Sequence, residues 1–126
     1  ITLPLIKSDV YELLHASATD GLSDYDAEFH DTHALTVVLA SEGYPASPVK
    51  GRAITGLPMP MNTAWINHAG TALDENGTLI SSGGRVLTCT ALGLTLSIAA
   101  ERAYAMIGAI ELEGSHFRTD IGHRAL

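Results

Sequence analysis

Apolar and polar positions follow two different periods along this chain. From Val10, apolar residues recur at Leu13, Leu14 and Ala18, the three-to-four spacing that gathers them on one helix face. Ser8 has the short hydroxyl side chain of an N-cap, Asp9 and Glu12 complement the positive helix end, and Gly21 stops the run. The pattern predicts a short amphipathic helix from about residue 9 to 18. The stretch Asp20 to Thr32 is acidic and irregular, with Tyr25 and Phe29 as its apolar anchors. Ala34-Leu35-Thr36-Val37-Val38-Leu39-Ala40 then forms a nearly continuous β-favouring run, which predicts a strand buried on both faces.

Gly43, Pro45, Pro48 and Gly51 interrupt regular structure. Arg52 to Ile54 reads as a short strand, and Pro58 and Pro60 make the following Gly56-Leu57-Pro58-Met59-Pro60 stretch a loop. Ala64 to His68 is a further strand. Leu73 and the Leu79-Ile80 pair flank Asp74-Glu75-Asn76-Gly77, whose Asn-Gly ending signals a hairpin. Arg85 to Ala91 is the next strand. Thr95 caps a second helix in which Leu96, Ala99, Ala100, Ala103, Ile107 and Ile110 form one apolar stripe that covers the sheet. The polar tail from Glu111 to Leu126 ends in a short strand at His116 to Arg118. Strands that run together without alternating helices predict an α+β fold.

Composition narrows the class. A length of 126 residues suits one domain, and 46% apolar with 17% charged residues suits a packed core. The formal charge of −7 opposes nonspecific binding to nucleic acid or to an anionic membrane. No run approaches the roughly 18 apolar residues of a membrane span, and no secretory signal pattern stands at the front. The single cysteine, Cys89, has no partner for an internal disulfide, which fits a reducing compartment such as the cytoplasm.

Candidate chemistry is sparse. Of six histidines, only His30 and His33, in His30-Asp31-Thr32-His33, are closely spaced. Metal sites need three or four ligands, and no second cluster accompanies these two, so a solvated acidic loop is the plainer reading. Cys89 lies mid-strand without a CxxC partner, as a structural cysteine does. No nucleophile elbow, Walker loop, GxGxxG or HExxH motif occurs. Gly83-Gly84-Arg85 stands out: paired glycines let a backbone approach a ligand, and arginine offers a planar fork of donors to phosphate or carboxylate. An anion seat and a hairpin turn followed by a solvated edge arginine are both open readings. His68, Gly70 and Thr71, one hairpin earlier, join the same pocket if the two strand ends are neighbours.

Several segments together carry a family resemblance. Leu3-Pro4-Leu5-Ile6-Lys7-Ser8-Asp9 is similar to LPLLKSDL, and Val37 to Pro45 is similar to VVLASxGYP. His68-Ala69-Gly70-Thr71 matches HAGT, and Gly83 to Leu87 with Thr90 to Gly93 matches GGRVLGVTALG. Phe117 to Leu126 is similar to YRxDIGYRAL. In this order they resemble the C-terminal region of the phosphoribosylamine–glycine ligase family, the ATP-grasp glycinamide ribonucleotide synthetases of purine biosynthesis. The resemblance implies a C-domain of rudimentary hybrid-motif type: a small curved antiparallel sheet or partial barrel with two flanking helices. It divides the chain into a helical segment at 1–20, continuing from an ATP-grasp region outside this chain, and a C-terminal domain at 21–126. It also implies a ligase that joins glycine to 5-phosphoribosylamine through a glycyl phosphate, converting ATP to ADP and phosphate. ATP and Mg²⁺ or Mn²⁺ then bind outside this chain, whose start at Ile1 rather than Met fits a piece of a longer polypeptide. The resemblance further implies that the piece is inactive alone, closes the active site and helps bind the substrate phosphate. Arg85 is the principal contact, Gly83 and Gly84 supply backbone donors, and His68, Gly70 and Thr71 are secondary candidates.

The chain departs from the family motifs at several points. Thr88 and Cys89 replace a glycine and a valine after GGRVL, and they are expected to alter packing rather than the phosphate contact. Pro45 to Lys50 differs from the family loop, and Phe117 and His123 replace tyrosines. A freestanding binding or scaffold module that kept the fold without the ligase is the alternative reading, and a metal-binding domain built on His30 and His33 is a third. The coding sequence upstream of Ile1 separates the first two.

Overall fold

In the computed structural model, which describes residues 1–125, the two long β-favouring runs pair with each other. β1 (His33–Ala40) and β5 (Arg85–Gly93) are antiparallel, and β2 (Ala64–His68) pairs along the other side of β5, giving the order β1-β5-β2. Register sets Val37 and Ile66 on either side of Cys89, and Leu39 and His68 on either side of Leu87. One sheet face therefore collects Leu35, Val37, Leu39, Leu87, Cys89 and Ala91, all buried. α2 (Leu96–Gly108) covers it with Ala99, Ala100, Ala103, Met106 and Ile107, and Thr95 Oγ1 caps the helix by accepting from the Ile98 amide at 3.3 Å. Each fully buried Leu, Val or Ile of this layer contributes roughly 1.5–3 kcal/mol. Ile110 lies beyond the helix end yet joins the core. The fold is α+β.

β1 is buried on one face rather than on both. Leu35, Val37 and Leu39 point to α2, whereas Thr36 and Val38 are half-buried on the opposite face. α2 does not cover that face, and Ile1 to Pro4 line a hollow there with Trp65, Asn67 and Thr90. That outer face instead carries a polar row: Thr36 Oγ1 lies 2.5 Å from Thr90 Oγ1, and the Asn67 amide donates to Thr90 Oγ1 at 3.2 Å and Thr88 Oγ1 at 3.3 Å.

The hairpin forms as β3 (Thr71–Leu73) and β4 (Leu79–Ser81). Asp74 Oδ1 accepts from the amides of Asn76 and Thr78 at 2.9 and 2.8 Å, and Gly77 takes a φ of 78° that a side chain would oppose. The strand partner of β4 is β3, whereas those of β5 are β1 and β2. Gly83-Gly84 is therefore a crossing between two sheets and not a hairpin turn.

Three local expectations shift. α1 (Val10–Ala18) is capped by Asp9, whose Oδ1 accepts from the Glu12 amide at 3.1 Å. Ser8 Oγ instead accepts from the Glu28 amide at 2.8 Å and ties the opening segment to the later one. Arg52 to Ile54 makes no strand, because Ala53 bridges Ile80 while Thr55 bridges Glu111, and Gly51 and Gly56 turn the backbone on either side. At His116 to Arg118 the tail makes a bridge between His116 and Ala40 in place of a strand. Past it, Tyr104 Oη donates to the Arg118 carbonyl and accepts from the Ile121 amide, which folds the tail back onto α2.

α1 buries none of its residues, although Val10 and Leu13 are half-buried. Its connection to the segment before β1 runs through Lys7 N–H to the Glu28 carbonyl, His30 N–H to the Leu5 carbonyl, and a Lys7–Glu28 ion pair at 2.7 Å. Among the described residues no helix is long and apolar enough to cross a membrane. Leu126, where both the expected domain and the terminal motif end, lies outside the described residues.

Burial pushes the Cys89 thiol up to about 11, against an ordinary value near 8.5. Its folded value exceeds its unfolded one, so its contribution is complete below about pH 8.5 and is lost as pH rises towards 11. Denaturant titrations across this window should show stability falling by up to about 2–3 kcal/mol in excess of a Cys89→Ala control. At pH 8 the native protein should leave a thiol reagent unconsumed, whereas the denatured chain should take up one equivalent.

Candidate functional site

A one-residue irregularity in β5 decides where Arg85 points. Leu39 pairs with Leu87, but Ala40 pairs with Arg85, leaving Val86 as an extra residue in β5. Regular alternation would set Arg85 on the face of Leu87 and Cys89, towards the core. The bulge turns it to the opposite face, as bulges do. There Arg85 lines an open cavity of about 610 Å³ with Val38, Tyr44, Ala69, Gly70, Gly84 and Thr88.

Ser41 fixes the two glycines. Buried at 2% exposure, it donates from its hydroxyl to the Gly83 carbonyl at 2.9 Å and from its amide to the Gly84 carbonyl at 2.8 Å. In a planar trans peptide the N–H points opposite to the C=O. Anchoring the Gly83 carbonyl on Ser41 therefore turns the Gly84 N–H the other way. Among the described residues that N–H has no protein acceptor.

Neither Gly83 nor Gly84 adopts positive φ. Their glycine character follows from close approach instead. A Cβ on Gly84 would overlap the ring of Tyr44, and one on Gly83 would lie 3.2 Å from the Gly70 Cα. Gly70 is equally constrained: its amide donates to the Arg85 carbonyl at 2.9 Å, its carbonyl accepts from the Ser82 amide at 2.8 Å, and a Cβ would stand 2.7 Å from the Arg85 oxygen.

The two glycine-bearing motifs thus meet at Gly70, Gly83, Gly84 and Arg85. His68 and Thr71 take another direction. His68 sits opposite Leu87 in register, and its side chain lines a separate groove with Leu57, Pro58 and Ile66. His68 Nδ1 and Thr71 Oγ1 pair at 3.1 Å.

The cations around the cavity are not equivalent. Arg52 pairs with Glu42 at 2.5 Å and donates to the Glu113 carbonyl at 2.7 Å, bracing the loop that presents Tyr44. Arg118 makes two bonds to Asp120 and holds that carboxyl down at about 2. Arg85 has no carboxylate partner among the described residues. It also borders a second hollow of about 240 Å³ with Tyr44, His116, Phe117 and Arg118. An exposed, unpaired guanidinium beside a free backbone N–H can receive a phosphate or carboxylate.

With this geometry in place, comparison with known proteins is informative. Residues 34–124 match the family model described as Phosphoribosylglycinamide synthetase, C domain. The chain belongs to this family. It is 45% identical over 121 residues to a phosphoribosylamine–glycine ligase of Agrobacterium fabrum, covering 96% of this chain and 28% of that protein. It is 44% identical over 128 residues to the trifunctional purine biosynthetic protein adenosine-3 of Gallus gallus, covering all of this chain and 13% of that one. A crystal structure of phosphoribosylamine–glycine ligase from Thermotoga maritima superposes with a TM-score of 0.65 at 35% identity, over 86% of this chain and 27% of that one. The chain thus spans little more than a quarter of the length of single-function ligases in the family.

Ser41, Tyr44 and Thr88 are site residues to which sequence reasoning gave no role. The first two stand in the family-like Ala40-Ser41-Glu42-Gly43-Tyr44-Pro45 run, but their service to the cavity depends on contacts about forty positions away. With the bulge in place, Thr88 lies on the same cavity wall as Arg85. Among the described residues, no group of three or more His, Cys, Asp or Glu side chains converges at His30 and His33 or anywhere else.

Gly70→Ala should destabilise the protein by about 1–3 kcal/mol in chemical denaturation, since backbone atoms on both sides must move. The nearby Gly77→Ala also acts at a turn, where its penalty comes from positive φ alone because its Cβ would meet open space. Amide chemical shifts should therefore move at Arg85 and Ser82 only for the Gly70 variant.

Proposed function

We propose that this chain is the C-terminal domain of an ATP-dependent ligase of purine biosynthesis that joins glycine to 5-phosphoribosylamine, and that its main cavity holds the substrate phosphate. The observation that carries the reading is Arg85, without a carboxylate partner among the described residues, beside a Gly84 N–H without an acceptor among them, set on one wall by the β5 bulge. Arg85 would bind two phosphate oxygens through its fork, and Gly84 N–H would bind a third. Gly83 serves through its close seat against Gly70, which brings the backbone near the ligand.

The chain's net charge of −7 does not oppose this local capture. Charge-assisted hydrogen bonds act over contact distance, whereas the distributed acidic charge is screened within about 8–10 Å in salt. In this reading the domain also closes one side of the active site. ATP, glycine and the divalent Mg²⁺ or Mn²⁺ belong to the ATP-grasp lobes of the same polypeptide, so no chemical step is assigned to residues of this chain. The hybrid-motif description of the fold belongs to the same proposal, as does a cytoplasmic place of work.

The test is Arg85→Gln in the full-length ligase, with glycinamide ribonucleotide titrated calorimetrically. Loss of a charge-assisted contact should weaken binding by about 1.5–3 kcal/mol, and the salt dependence of binding should become shallower. Unchanged affinity in a folded variant would sink the assignment.

A further inference from the structure

We infer that the Thr88 hydroxyl is a specificity-determining contact in the cavity, selecting a phosphate ester that carries a hydroxylated ring over phosphate alone, with Asn67 as its positioning residue. The inference rests on the reading that Arg85 receives the phosphate.

Spacing comes first. Because Val86 is the extra residue of the bulge, Arg85 and Thr88 sit on one face like next-but-one neighbours of a regular strand. Their separation along the strand is then about 7 Å. Both line the same cavity with Val38 and Gly70 between the flanking strands. A ligand that keeps its phosphate on Arg85 and extends along β5 by that spacing would bring a ring to Thr88 in the same cavity.

Hydrogen-bond direction comes second. Asn67 Nδ2 donates to Thr88 Oγ1 at 3.3 Å and to Thr90 Oγ1 at 3.2 Å. Thr90 Oγ1 is further tied to Thr36 Oγ1 at 2.5 Å. This row holds the Asn67 amide, which in turn occupies Thr88 Oγ1 as an acceptor. The Thr88 O–H proton has no acceptor among the described residues. It is therefore available as a donor on a half-buried wall, where a hydroxyl or ring oxygen would satisfy it.

The experiment uses the full-length protein and two probes, inorganic phosphate and ribose 5-phosphate. Thr88→Val keeps the shape and removes the hydroxyl. It should lower the affinity ratio of ribose 5-phosphate to phosphate about 3- to 10-fold, the effect of one neutral hydrogen bond, with phosphate affinity unchanged. Thr88→Ser should keep the ratio, and Asn67→Ala should lower it less than Thr88→Val does. Arg85→Gln should weaken both probes together. If Arg85→Gln weakens both but Thr88→Val shifts the probes equally, or neither, the Thr88 inference is overturned and the phosphate reading stands. If Arg85→Gln changes neither probe, or the unaltered protein binds neither, both fall. Should Thr88→Val fail to fold, the Asn67→Ala ratio decides: a ratio equal to that of the unaltered protein overturns the inference.

Discussion

One residue more in β5 than in β1 decides to which side of the sheet Arg85 points. On the α2 side of the sheet, pairing proceeds without interruption from His33 opposite Gly93 to Leu39 opposite Leu87, and the core closes over Cys89. At Val86 the alternation slips by one. The slip costs little in burial, because Val86 is itself fully buried. Its effect is to release a guanidinium from the core face, where an unpaired charge would be severely penalised, and to aim it across the other side of the sheet. Gly70 and Gly84 are then set beside that side chain by backbone contacts, and Tyr44 by a loop that the Arg52–Glu42 pair braces.

The sequence reveals elements whose signals are local. Thr95 before an apolar stripe predicts α2 and its cap, and Ala64 to His68 is a strand with the expected bounds. Asp74 to Gly77 is the hairpin loop. Convergence of the His68–Thr71 and Gly83–Arg85 motifs was a conditional reading, and the backbone half of it holds at Gly70. The histidine side chain departs because two-residue alternation sends it with Leu87 to the far face.

What stayed illegible depended on partners distant in sequence. A bulge is a property of a pair of strands, so nothing within Arg85 to Gly93 announces that Val86 is supernumerary. The same reason hid Thr88, whose face is fixed only once the register is known. Ser8 and Asp9 both suit an N-cap, and the choice turned on Glu28, some twenty residues away. The tail shows the converse: His116 has β-like surroundings, but Tyr104 draws the following residues back onto the helix.

The packing of Tyr44 on Gly84 has a consequence for how the family can vary. The aromatic ring occupies the volume that any side chain at position 84 would need, and it also walls both hollows that border Arg85. Changes at the two positions therefore do not combine additively, as expected for residues sharing one space. A smaller residue at 44 is a precondition for a larger one at 84, and that exchange widens the hollows as it fills the gap. The cavity's shape depends on this pair of positions jointly, forty residues apart in the chain and touching in the fold.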